Sequence, residues 1–199
     1  MVVVVVMGDP RFDPLRIAAS LRSHGVSYVL VGDVAAAAHG AAVETEETDI
    51  LLPEDDENLI RLGLVLMEIG ATPLDAGDQH RTSFDTGAGR LNLIETATAY
   101  DELSHAAVEI DLGRGVVARV ASLDDMSKLR LESGDLVGAA RLASIGGAET
   151  RADDEDDDPG PAGAAPKRFR DKVWGTLESV DTFLTDLDSR GVRFQKRGA

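Results

Sequence analysis

A run of mostly apolar residues, Val26-Ser27-Tyr28-Val29-Leu30-Val31, leads directly into Gly32 and then into Val34-Ala35-Ala36-Ala37-Ala38. No other stretch of the 199 residues constrains the fold as tightly. A valine- and leucine-rich extended run fits a buried strand, glycine suits the sharp turn, and a helix of small residues can follow, closed by His39-Gly40. Thr48 to Leu52 then supplies a second apolar strand, stopped by Pro53. Glu54 to Glu57 charge the first turn of a long helix, Asn58 to Ile69, which Gly70 ends. Upstream, Asp13-Pro14 caps and opens a helix that finishes near Gly25.

Further along, Thr82 to Thr86, a Gly87-Ala88-Gly89 turn and Arg90 to Glu95 read as a hairpin, and Val116 to Ala121 as another extended segment. Two helices, Leu123 to Ser133 and Leu136 to Ile145, follow. This order predicts an α/β (α+β) domain over residues 13–149, with helices packed on a mixed sheet. Residues 1–12 form an N-terminal extension holding Val2 to Val6, a run too short to span a bilayer. Over 150–166 the pattern stops: six consecutive acids, Asp153 to Asp158, and a Pro/Gly/Ala stretch predict a disordered linker. Over 167–199, Phe169, Val173, Trp174, Leu177, Val180, Leu184 and Leu187 recur at helical spacing, predicting one amphipathic helix and a basic tail. That helix is expected to dock on its own domain or on a protein partner.

The chain has no cysteine, which excludes disulfides, thiolate metal sites and cysteine nucleophiles and makes a reducing cytoplasm the default. Its four histidines have no ligand spacing, and no nucleophile-elbow motif is present. The formal net charge is −16. Only 5 of the 36 acids but 8 of the 20 basic residues fall after residue 166, so the body is strongly acidic. Such a surface disfavours tight, sequence-independent binding of nucleic acid, although it also suits solubility or adaptation to salt.

Chemistry concentrates in two places, Val31-Gly32-Asp33 and Glu47-Thr48-Asp49. Residues i and i+2 of a strand point to one face, so Glu47 and Asp49 can share a metal. The alternative is two solvated charges at a strand end. Together with Ala35, His39-Gly40 and Thr45, this ordered series resembles the nucleotidyltransferase superfamily, in particular its small abortive-infection branch, which includes nucleotidyltransferase toxins. The resemblance covers about residues 13–146, continuing through Leu91-Asn92-Leu93 and Val120 to Asp125 as far as Lys128. It implies Mg²⁺-dependent transfer of a nucleoside monophosphate from an NTP to an acceptor, which in related proteins is RNA, protein or a small molecule. In that scheme Glu47 and Asp49 hold metal, Gly32 opens the phosphate cradle and Lys128 steadies the leaving phosphates, or else is a plain surface cation.

Departures from the family pattern all bear on the same function. Asp33 stands where a small residue should meet phosphate oxygens, and it either opposes a triphosphate or caps the following helix. Val43 replaces an arginine, and Glu47 an aspartate. The third catalytic acid becomes Asn92, which can be neither a general base nor a strong metal ligand. Asp135 echoes a further family acid, whereas the arginine expected between it and Lys128 is not at its place. The expectation is therefore a nucleotidyltransferase fold with weakened or lost activity, alternatively a non-catalytic interaction or regulatory protein of toxin–antitoxin type.

Overall fold

The computed structural model describes residues 10–53, 55–74, 81–95 and 100–146. The expected linker, the C-terminal helix and most of the N-terminal extension lie outside them. The described residues form one seven-stranded mixed sheet and six helices, an α/β arrangement as expected.

Helix α1, Pro14–Ser23, starts where the Asp13 side chain accepts the Arg16 N–H at 3.1 Å, and it buries Pro14, Ile17, Ala18 and Leu21. Strand β1, Val29–Val31, is wholly buried. It is shorter than the apolar run that contains it, because Ser27 is engaged elsewhere: its backbone exchanges two hydrogen bonds with the Asn58 side chain, at 2.6 and 2.9 Å. Helix α2, Gly32–Ala38, follows without a break and buries Val34 and all four alanines, whose small side chains let the helix lie close on the sheet. The ring of His39, just past α2, bonds the Ala121 carbonyl at 2.8 Å and so ties the helix end to the chain leaving β7, the strand beside β1.

Strand β2, Glu47–Leu51, is the middle strand of the sheet, whose order is β3-β4-β5-β2-β1-β7-β6. It runs antiparallel to β1, with Val31 opposite Asp49, and parallel to β5, with Asp49 beside Asn92 and Glu47 beside Arg90. Thr48 and Ile50 are buried whereas Glu47 and Asp49 are only partly so, the alternation of a strand with one face in the core. Helix α3, Asp56–Glu68, is capped by Asp55 and buries Leu59, Leu62, Val65 and Leu66. Strand β3, Thr72–Pro73, pairs with β4, Arg81–Thr86, which forms a hairpin with β5, Gly89–Ile94.

Helix α4, Tyr100–Ala106, and edge strand β6, Val108–Asp111, lead to β7, Val117–Val120, which runs parallel to β1. Helix α5, Leu123–Glu132, is capped by Ser122, and α6, Leu136–Gly146, packs against it after a turn at Gly134. None of the described helices is long and apolar enough to cross a membrane.

Candidate functional site

Parallel pairing of β2 with β5 brings Glu47, Asp49 and Asn92 to one side of the sheet. The Asn92 side chain is fully buried, and its Nδ2 donates to Glu47 Oε2 and to Asp49 Oδ1, both at 2.6 Å. Its own Oδ1 is buried with no partner. The neighbours dictate this orientation. Turning the amide over would set its oxygen against two carboxylate oxygens, acceptor against acceptors.

Two arginines that sequence reading missed complete the cluster. Arg81 Nη1 donates to Glu47 Oε2 at 2.8 Å, and Arg90 Nη1 to Glu47 Oε1 at 3.3 Å. Arg90 lies two residues before Asn92, and Arg81 pairs with Ile94, two residues after it, so strand alternation puts all three on one face. That alternation, counted from Asn92, is the sequence signal that points to Arg90. The Arg81 contact needs the β4–β5 register as well.

Asp49 also packs against Gly32. A Cβ at Gly32 would come within 2.2 Å of Asp49 Oδ2, and Gly32 has φ +70°, so both the close approach and the backbone require glycine. Burial pushes the Asp49 carboxyl above its usual range. The Asn92 hydrogen bond and the Arg81 charge oppose that shift, while the charges of Glu47 and Asp33 add to it.

Asp33 does not cap α2: the residue preceding the helix is Val31, and no side chain caps it. Asp33 lies inside the first turn and accepts a hydrogen bond from Arg130 Nη2. The other arm of Arg130, Nη1, donates to Asp135 Oδ2 at 2.6 Å, and Asp135 Oδ1 accepts the Gly138 N–H at 2.9 Å. Arg130 thus stands between Lys128 and Asp135, the interval in which the resemblance calls for an arginine. Lys128 itself is largely exposed and reaches Asp125 at 3.5 Å.

A divalent cation needs oxygen ligands that are free to converge on it. Among the described residues no group of three His, Cys, Asp or Glu side chains is placed to hold one. Both Glu47 oxygens are already in ion pairs, and the space between the two carboxylates is spanned by an N–H donor, which cannot ligate a metal. The residues present, as arranged, do not fit Mg²⁺.

No family model matches the chain, and no curated protein does. Among solved structures it is similar to TM1012 from Thermotoga maritima, named as a nucleotidyltransferase, at 17% identity over 67% of this chain and 90% of that one, with a TM-score of 0.48. It is also similar to the antibiotic-resistance factor ANT(2'')-Ia in solution, at 13% identity over 88% of this chain and 93% of that one. The crystal structure of ANT(2'')-Ia with adenylyl-2''-tobramycin matches at 13% identity, over 85% of this chain and 95% of that one. Both ANT(2'')-Ia matches have a TM-score of 0.49. The likeness is in chain path alone.

Proposed function

We propose that this chain is a nucleotidyltransferase-fold protein in which transfer of a nucleoside monophosphate from NTP to an acceptor is weakened or lost. One observation carries the reading: the Asn92 amide donates to both Glu47 and Asp49. Two carboxylates brought this close repel each other unless something positive or proton-bearing stands between them. Here the amide and the two guanidinium groups supply that compensation from within the chain. The order of residues from Gly32 to Asp49 supports the fold family, and Asn92 and Asp33 support the loss of chemistry. With transfer weakened, the protein acts by binding, as an interaction or regulatory protein on the same fold.

Calorimetric titration of the full chain with Mg²⁺ or Mn²⁺, alongside incorporation from each labelled NTP, tests this. The expected result is no metal-binding heat that depends on Glu47 and Asp49, and no incorporation above background. Saturable metal binding that Asp49→Asn abolishes, together with NTP-dependent labelling, would overturn it.

A further inference from the structure

Three features converge on the Arg130 guanidinium. Asp33 and Asp135 each take one of its arms, and Gly138 provides its seat. A Cβ on Gly138 would come within 2.6 Å of Arg130 Nη1 and 2.7 Å of Arg130 Cδ. Glycine inside a helix is disfavoured relative to alanine, so its place in α6 is accounted for by this close packing. The guanidinium is only partly buried, with a quarter of the side chain exposed. Asp33 is next in sequence to Gly32, which lies against Asp49, and the Asp33 charge is felt at Asp49. The arm that Asp33 occupies is thus held by a residue beside the carboxylate site, while the Asp135 arm is anchored at the start of α6 through the Gly138 N–H.

A guanidinium fork matches phosphate oxygens as well as carboxylate oxygens. We propose that Arg130 is an anion-binding residue that Asp33 holds shut: the Asp33 carboxylate occupies, in cis, the place of a ligand phosphate. The ligand class is a polyphosphate chain, free or as part of a nucleotide, and this choice of class rests on the nucleotidyltransferase-fold reading above. Binding then requires Asp33 to let go of the Nη2 arm. Asp135 keeps the guanidinium oriented throughout.

The test uses the full chain, with inorganic tripolyphosphate and ATP as separate probes, without divalent metal and at low salt. Asp33→Asn should bind tripolyphosphate about tenfold or more tightly than the wild type, equivalent to about 1.4 kcal/mol. Arg130→Ala in the Asp33→Asn background should abolish the gain. If the gain survives in the double variant, Asp33 merely repels phosphate and the inference fails. It fails equally if Asp33→Asn brings no gain. Asp33→Ser serves in place of Asp33→Asn should the latter melt early, with the same expectation. A gain for tripolyphosphate but none for ATP would uphold the anion site while removing the nucleotide reading, so the two can fail separately.

Discussion

Two charge clusters flank Gly32, and they are built in opposite ways. Glu47, Asp49, Asn92, Arg81 and Arg90 stand on neighbouring strands, where backbone register alone sets which side chains face one another. Asp33, Arg130 and Asp135 stand on or beside three helices, and a single guanidinium spanning 97 residues of sequence joins them. The strand cluster is held by the sheet whatever its side chains are. The helix cluster exists only while Arg130 stays seated. The first should therefore register substitutions as electrostatic strain in a rigid frame, and the second as loss of a tether.

The sharpest way to break the contrast is Asn92→Asp, which sets a third carboxylate against Glu47 and Asp49. Leaving a buried charge uncompensated costs about 3–5 kcal/mol, and we expect thermal melts above pH 7 to show a loss of that order. Added Mg²⁺ should recover part of it in the variant while leaving the wild type unmoved. A variant as stable as the wild type would mean the frame is not rigid. Next comes Gly32→Ala. The left-handed backbone costs an alanine about 1–2 kcal/mol and the collision with Asp49 Oδ2 adds to it, for a total of about 2–4 kcal/mol by denaturant titration.

The two clusters should also respond to acid with opposite signs. Hydrogen bonds from the Gly138 N–H and Arg130 hold the Asp135 carboxyl below its usual 3.8. Its stabilisation is therefore present above that value and disappears as pH falls through the lower folded one. Asp49 is raised above 3.8 by burial. The folded state keeps that proton longer than the unfolded chain does, so stability declines as pH rises from 3.8 through the folded value. Stability measured against pH should then show Asp135→Asn flattening the acid limb and Asp49→Asn flattening the decline above it. If both variants shift the curve in the same direction, the contrast is wrong. The smallest effect is expected for Lys128→Ala, within about 0.5 kcal/mol and with the Arg130 contacts undisturbed, since Lys128 is exposed and joins neither cluster.

Much of the strand cluster was legible beforehand, because a strand reveals its faces at a period of two. The unit β1-α2-β2, the placing of Glu47 and Asp49 on one side, and the turn at Gly87 to Gly89 all follow from spacing within a few residues. Elements lacking such a pattern were missed. Strand β3 is two residues long and contains a proline, α4 buries only Leu103, and β6 is an edge strand with no buried residue. Arg130 was illegible for a different reason. The resemblance calls for an arginine between Lys128 and Asp135, yet spacing alone did not single out Arg130, and its partner Asp33 resembled a helix cap. Only the tertiary fold, which sets Asp33 of α2 within reach of Arg130 of α5, brings the two together.

The position of β2 carries one more consequence. As the fourth of seven strands, it pairs with β1 over residues 49–51 and with β5 over residues 47–50. Those bonds do not depend on what residues 47 and 49 carry as side chains. Substitutions at those two positions should therefore change the charge presented at the cleft more than the path of the strand beneath it.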